Sequence, residues 1–330
     1  MSPTYKVAGI GNAVMDVLSQ ADDDFLDMMG IEKGIMQLVE RERAEILYAA
    51  MERRTQTPGG SVANTLAGLS ALGLRTAFIG LVHDDAVGRH YIDGMTEAGT
   101  DFVNPPSKGA PLPSSRSMIF VSPDGERSMN TYLGISAELG PEDVPDDVAS
   151  GTEILFLEGY LYDKPKGKEA FLRAARLCHD AGGRSGIALS DPFCVDRHRE
   201  DFRLLVRDEM AFVIGNEAEW TSLYQLDDLE AALTQAAQDC ETVVCTRSGD
   251  PVILISKGAR VEVPVDRVVP VDATGAGDQF AAGFLFGLAT GRDLETCGRM
   301  GVLAGAEVVS HVGPRPEANM HAIFTRQGLL

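Results

Sequence analysis

The chain lacks the features that mark a disulfide scaffold, a nucleic-acid binder or a membrane protein. Its five cysteines (Cys178, Cys194, Cys240, Cys245, Cys297) are odd in number, scattered and never spaced Cys-x-x-Cys, which argues against zinc ribbons and a disulfide framework. Positive charge is scarce: 29 Lys and Arg face 49 Asp and Glu, a net charge of −20. Such a surface repels phosphate backbones and anionic membranes. The densest basic stretch, Arg41 to Arg54, is interleaved with Glu42, Glu45 and Glu52 and reads as a solvated helix face. Long apolar runs are missing too. The longest, Phe280 to Ala289, is far short of the ~20 residues a membrane span needs. Near the N-terminus Asn12 and Asp16 break the apolar stretch before a signal core could form. No repeat or low-complexity tract is present, and the six histidines share no metal spacing. The expectation is a cytoplasmic chain with reduced thiols.

What is present suits one large α/β domain with an appendage: 330 residues, 44% hydrophobic and 24% charged. Short apolar runs predict strands at Val7–Ile10, Ala77–Val82, Ile154–Leu157, Gly186–Leu189, Ala211–Ile214, Thr242–Cys245 and Val252–Ile255. Helical spacing predicts helices at Ser61–Leu72, Ala86–Glu97, Lys166–Ala181, Glu217–Leu223 and Leu229–Gln238. That alternation, with mostly unbroken apolar strands, predicts a parallel sheet covered on both faces. Ile31–Val39 and Ser115–Leu133 alternate with polar residues instead, and predict a small separate sheet entered through Pro111 and Pro113. The expected organisation is a single domain over 1–330 with lid segments near 12–40 and 100–135.

The strongest motif is Val271-Asp272-Ala273-Thr274-Gly275-Ala276-Gly277-Asp278, which opens a helical run. Small residues at 275–277 let the backbone approach a ligand, and free amides at a helix N-terminus bind anions. Asp278, in the first turn, could take a proton from a hydroxyl while those amides hold the phosphate it attacks. The alternative is an N-terminal loop whose acid merely complements the helix dipole. No Lys-Ser/Thr pair follows, so this is not a Walker A loop. Pro58-Gly59-Gly60-Ser61-Val62-Ala63-Asn64 leads into a second helix, with Asn64 one turn inside. Gly9-Ile10-Gly11-Asn12 ends the first strand, and Asp16 follows four residues on. An amide and a carboxylate at that sheet edge suit the vicinal hydroxyls of a sugar, and an Asx turn explains them equally. Asn216 and Glu219 share one helical face. They read either as a cap with an acidic first turn or as groups ordering water around Mg²⁺.

In their joint order these motifs resemble the ribokinase/PfkB family of carbohydrate kinases, from about Val7 to Pro316. The family's two signatures match Gly59 to Asn64 and Asp272 to Asp278, and its N-x-x-E motif matches Asn216 to Glu219. The resemblance implies a ribokinase-like three-layer α/β/α sandwich with a small β-sheet lid. It implies Asp278 as catalytic base, the amides of Gly275, Ala276 and Gly277 as an anion hole, and Asn216 with Glu219 around hydrated Mg²⁺. Within the family, Gly11-Asn12-x-x-x-Asp16, Leu38-Val39-Glu40, Leu189-Ser190-Asp191-Pro192-Phe193 and Gly215-Asn216-Glu217 resemble adenosine kinases. Arg127 sits where that branch carries an arginine facing the transferred phosphate. The same resemblance implies Asn12, Asp16, Gly59, Gly60, Ser61 and Asn64 around a ribose, and Met36, Ser117, Met129, Thr131 and Tyr160 around a base. Thr246-Arg247-Ser248-Gly249 resembles the family's nucleotide turn with one residue inserted, and Asp272 and Val302 complete the expected ATP side. Two positions depart from the pattern: Ser114-Ser115-Arg116-Ser117 replaces a Thr-Gly-Thr-type stretch, and Met36 stands where a glutamine would suit a purine edge.

The implied cofactors are ATP and Mg²⁺, with a monovalent cation as an option. The implied partner is a small-molecule nucleoside or sugar, with no nucleic acid or membrane, on a monomer or homodimer. The expected reaction is phosphorylation of a ribosyl 5′-hydroxyl, adenosine first. A sugar kinase acting on ribose, fructose or a ketodeoxy acid is the alternative, and a catalytically silent nucleotide sensor is the reading from a different class. Cys240, Cys245 and Trp220 read as packing residues, and Gly313-Pro314-Arg315-Pro316 as a tail crossing the surface.

Overall fold

The computed structural model describes residues 4–330. From one edge, the main sheet runs Ala259–Val263, Asp250–Ser256, Thr242–Arg247, Phe212–Asn216, Arg184–Ala188, Thr152–Glu158, Tyr5–Ile10, Thr76–Ile79 and Thr100–Phe102. The second strand pairs antiparallel with both the first and the third, and every other neighbouring pair is parallel. The central strands are apolar almost end to end because both faces are covered. Side chains along them split by alternation: Ile154 and Phe156 join one buried cluster, Leu155 and Leu157 the other. The first cluster packs under the helices Ser61–Ala71, Ala276–Ala289 and Leu294–Val308, the second under Pro165–Asp180, Arg199–Glu209, Glu217–Tyr224 and Leu229–Asp239.

Helix Ala276–Ala289 is buried nearly all round. Its neighbours approach closely where side chains are small: a Cβ on Gly68 would crowd Ala282, and one on Gly283 would strike the Met300 backbone. This packing brings the N-termini of Ser61–Ala71 and Ala276–Ala289 together at the sheet's carboxyl edge.

A second sheet stands over that edge, ordered Met36–Leu38, Arg127–Tyr132, Ser115–Val121, Val14–Gln20 and Thr55–Gly59. Its inner face looks into a cavity. Met15, Val17, Met118 and Phe120 on the outer face share a buried cluster with Leu26, Ala44 and Leu47 from the helices Asp23–Met28 and Arg41–Ala50. Phe25 and Phe120 meet there at 5.4 Å between ring centroids. The ribokinase-like α/β fold expected from the sequence is the one observed.

Several elements differ from the sequence reading. The expected strand Ile31–Val39 shrinks to Met36–Leu38. Ser115–Leu133 is a hairpin, turned where Gly125 N–H donates to the Ser122 carbonyl at 2.8 Å. Thr55–Gly59 joins the lid, while Thr100–Phe102 lies in the main sheet. Val252–Ile255 falls in an antiparallel strand rather than a parallel one, and helices Pro192–Arg197 and Arg199–Glu209 were not predicted. Among the described residues no helix is long and apolar enough to cross a membrane.

Trp220 anchors one layer. It is fully buried, stacks on Tyr224 at 6.4 Å, and donates Nε1–H to the Val244 carbonyl at 3.1 Å. Trp220→Ala is expected to cost about 3–5 kcal/mol, measured by urea unfolding followed by circular dichroism. A loss below about 1 kcal/mol would contradict that packing role.

Candidate active site

A cavity of about 880 Å³ lies between the lid and the carboxyl ends of the parallel strands, where open α/β sheets bind ligands. Each strand end contributes: Asn12 follows the first strand, Glu158 closes Thr152–Glu158, Asn216 closes Phe212–Asn216, and Thr246 lies near the end of Thr242–Arg247. The lid supplies Asp16, Met36, Ser117, Met129 and Thr131 from above.

Asp278 sits where the two helix N-termini meet. Ser61 Oγ donates to one carboxylate oxygen at 2.7 Å and Asn64 Nδ2 to the other at 3.0 Å. Thr65 Oγ1 donates to the Asp278 backbone carbonyl at 3.1 Å. Burial pushes the Asp278 carboxyl up to about 6, against the pull of those two side-chain hydrogen bonds. The tight turns entering both helices need positive φ. Gly60 has φ 96° and Gly275 φ 80°, and a Cβ on Gly60 would strike the Asn12 carbonyl oxygen.

Asn12 is held by Glu158. The Asn12 N–H and Nδ2 both donate to Glu158 Oε1, at 2.6 and 2.9 Å, and Val62 N–H donates to Oε2 at 3.3 Å. Burial pushes Glu158 up to about 7 despite these donors. The carboxylate of half-buried Asp16 accepts no hydrogen bond from the described residues. Burial raises it to about 7, opposed by the charges of Arg127 and Arg315.

Asn216 and Glu219 form a reciprocal capping box: Glu219 N–H donates to Asn216 Oδ1 at 2.9 Å, and Asn216 N–H and Nδ2 donate to the two Glu219 oxygens at 2.8 Å each. Burial pushes Glu219 up to about 7, with Asp191 adding to the rise. The cap reading is therefore realised. Both residues also line the cavity, and a hydrated dication beside this carboxylate would offset its burial, so the donor set fits Mg²⁺ held through water. Among the described residues no cluster of three or more His, Cys, Asp or Glu suits a directly held metal.

Most residues singled out in the sequence converge on this cavity. Asn12, Asp16, Gly60, Ser61 and Asn64 line it with Met36, Ser117, Met129, Thr131 and Tyr160, and so do Asn216, Glu219, Thr246, Gly275, Gly277 and Asp278. Others lie outside its wall. Arg127 is behind the cavity lining, where it forms a buried ion pair with Asp272 at 3.1 Å. Asp272 also accepts the Thr274 and Gly313 N–H groups at 2.9 Å each, so its carboxylate organises the loop. Gly59 lies behind the wall, its carbonyl accepting from Tyr91 OH at 2.9 Å, and Ala276 begins the helix. Arg247 turns to Glu217 at 3.5 Å, and Gly249 belongs to the neighbouring hairpin turn. Val302 is a core residue, buried under the main sheet.

Contributors that the sequence reading did not assign include the apolar Ile35, Leu38 and Phe193 and two charged residues. Glu158 ends an apolar strand at the sheet's carboxyl edge, the rule that singled out Asn12, and a charge in that place was the available signal. Arg315 was read as part of a surface tail. The 313–315 segment instead packs against the start of helix Ala276–Ala289, with the Pro314 carbonyl accepting from Gln279 Nε2 at 3.0 Å.

The chain belongs to the pfkB family of carbohydrate kinases, whose model matches residues 33–319. A probable sugar kinase of Rhizobium etli has a solved structure that superposes with TM-score 0.92 at 42% identity, covering 99% of this chain and 100% of that one. The structure of adenosine kinase from Sinorhizobium meliloti superposes with TM-score 0.90 at 43% identity, over 98% of this chain and 99% of that one. Adenosine kinase of Saccharomyces cerevisiae is 25% identical over 335 aligned residues, 94% of this chain and 96% of its own length. The chain is a sugar or nucleoside kinase, a phosphotransferase with an alcohol acceptor.

Gly60→Ala tests the entry to the acceptor side, because it places a Cβ against the Asn12 carbonyl at a positive φ. At ~1–3 kcal/mol of strain, kcat/KM for the acceptor is expected to fall at least ~10-fold. Steady-state kinetics at unchanged kcat/KM would show that this turn does not set the site.

Proposed function

We propose that this chain transfers the γ-phosphoryl group of ATP to the 5′-hydroxyl of a ribonucleoside, with adenosine the first choice. The observation that carries the nucleoside over a free sugar is the wall of the cavity. Ile35, Met36, Leu38 and Phe193 line it and remain 39%, 40%, 54% and 71% exposed. The polar groups are a separate set: Asn12, Asn64 and Asp278 on the floor and Asp16 on the lid. A free sugar offers hydroxyls to the floor and nothing to the apolar wall, whereas a nucleobase would bury it. The 43% identity to the Sinorhizobium meliloti adenosine kinase supports the same reading.

In this reading Asn12 and Asp16 hold the ribose hydroxyls. Asp278 accepts the 5′-hydroxyl proton as the oxygen attacks phosphorus in line. The amides of Gly275, Ala276 and Gly277, at a helix N-terminus, take the charge that grows on the transferred group. Asn216 and Glu219 would hold Mg²⁺ through water, and the ion would supply charge neutralisation to the phosphates. Arg127 ties the lid to the phosphate-binding loop through Asp272, so covering the acceptor and ordering that loop are one event. The 42% identity to the Rhizobium etli probable sugar kinase favours a second reading, in which Glu158 on the floor serves an extra sugar hydroxyl.

Coupled ADP release with Mg·ATP against adenosine, guanosine, inosine, cytidine, ribose and fructose separates the two. Micromolar saturation by a purine nucleoside is expected, with ribose and fructose idle; turnover only with a free sugar would overturn the nucleoside assignment. Asp278→Asn is expected to bind nucleoside but lose at least ~10²-fold in kcat. The base must be unprotonated, so kcat/KM is expected to be full above about 7 and to fall as pH drops toward 6, where Asp278 gains its proton. A profile flat across that window would remove Asp278 from the role.

A further inference from the structure

Four polar groups converge on one residue of the cavity wall. Asn64 is 4% exposed, and its amide is committed at both ends: Nδ2 donates to Asp278 Oδ2 at 3.0 Å, and Oδ1 accepts from Arg315 Nε at 3.4 Å. Its backbone is held as well, with N–H donating to the Gly60 carbonyl at 3.0 Å and the carbonyl accepting from Gln279 Nε2 at 3.0 Å. Arg315 reaches past Asn64, and Nη2 donates to the Pro58 carbonyl at 2.7 Å. Its remaining contact is with Met95 Sδ at 3.9 Å. None of these partners is a carboxylate; Asp16 and the Tyr91 hydroxyl influence it from further away.

Drawing the guanidinium of this half-buried arginine out of water against a carbonyl, an amide oxygen and a thioether costs desolvation without an ion pair in return. What the fork supplies is orientation. Arginine only donates, so it meets an amide by the oxygen end, and this turns the NH₂ end of Asn64 toward Asp278. With the arginine gone, Asp278 alone orients the amide, which gains freedom to swing out of line and weaken its donation to the carboxylate. A lysine carries one nitrogen and would not span both the Pro58 carbonyl and Asn64.

We propose that Arg315 is a positioning residue for phosphoryl transfer: through Asn64 it fixes the carboxylate of Asp278, and through Pro58 it fixes the turn that enters the acceptor site. The proposal deepens the kinase reading and rests on Asp278 being the base. Arg315 comes from the segment after helix Leu294–Val308, far along the chain from both motifs it joins. The neighbouring Pro314 lies against Gly275, where a Cβ would collide with it. One short segment thus clasps both ligand-binding loops from behind.

The test is a double-mutant cycle on the full chain, using the acceptor that turns over in the panel above. Arg315→Ala and Arg315→Lys are each expected to lower kcat ~10- to 100-fold, as for loss of a charge-assisted hydrogen bond, with KM for ATP unchanged. The acid limb of the pH profile is expected to move upward, because the Asn64 donor that favours ionised Asp278 is released. The charges facing Asp278 otherwise stay in place: Asp16 from the lid, Glu158 from the floor, and Arg127 beyond Asp16. In an Asn64→Ala background, Arg315→Ala is expected to add less than ~3-fold, since contacting residues are non-additive. Full multiplication of the two losses, or Arg315→Lys at the wild-type rate, would overturn the proposal. If Arg315→Ala fails to fold, Arg315→Lys, which keeps charge and bulk, decides. Asp278→Asn run alongside separates the two failures: activity surviving there sinks the base assignment, whereas an inactive Asp278→Asn beside an unaffected Arg315→Ala sinks only the role of Arg315.

Discussion

One carboxylate joins two helix N-termini, and the arrangement of the site follows from it. Asp278 belongs to helix Ala276–Ala289, yet its oxygens are held by Ser61 and Asn64 of helix Ser61–Ala71. The helices come this close because Gly68 and Ala282 leave no bulk between them. Two positive dipole ends and two hydrogen bonds favour the ionised acid, and burial opposes them. Burial prevails, leaving Asp278 at about 6, close to where a base can both stay ionised at neutral pH and hold a proton when offered one.

The same burial has a cost for the folded state. Asp16, Glu158 and Glu219 are raised to about 7 beside Asp278. Each binds its proton more tightly folded than unfolded, so between the ordinary carboxylate range and about 7 the folded chain carries more protons. Stability from these groups therefore falls as pH rises through that window. Arg127 and Arg315 face Asp16 and offset part of the effect, and each also ties one wall of the cavity to another: Arg127 the lid to the loop before helix Ala276–Ala289, Arg315 the tail segment to the turn before helix Ser61–Ala71.

What was legible in the sequence was local. Gly60 and Asn64, Gly275 to Asp278, and Asn216 with Glu219 all sit within one turn of a helix start, where spacing alone places amides and side chains on the ligand side. Asn12 and Asp16 followed from the end of an apolar strand. What was not legible depends on contacts across the chain. Arg127 lies 145 positions before its partner Asp272, and nothing in Glu126-Arg127-Ser128 tells of that pairing. Arg315 lies between two prolines in a stretch with surface composition, and its burial is decided by Pro58 and Asn64. The apolar run of Val252–Ile255 suits a parallel or antiparallel strand equally, and only the short turn at Ser248–Gly249 makes the hairpin. Val302 was aligned toward a nucleotide, but the helix Leu294–Val308 rotates it into the core.

The central claim is that Asp278 and the 275–277 amides direct phosphate onto a primary ribosyl hydroxyl. Proton-coupled phosphorus NMR of the product formed from adenosine and Mg·ATP tests it most directly. The account predicts a new monoester signal split into an apparent triplet by the two 5′-methylene protons, appearing in step with ADP. A doublet from a secondary hydroxyl, or inorganic phosphate alone growing with ADP, would contradict it.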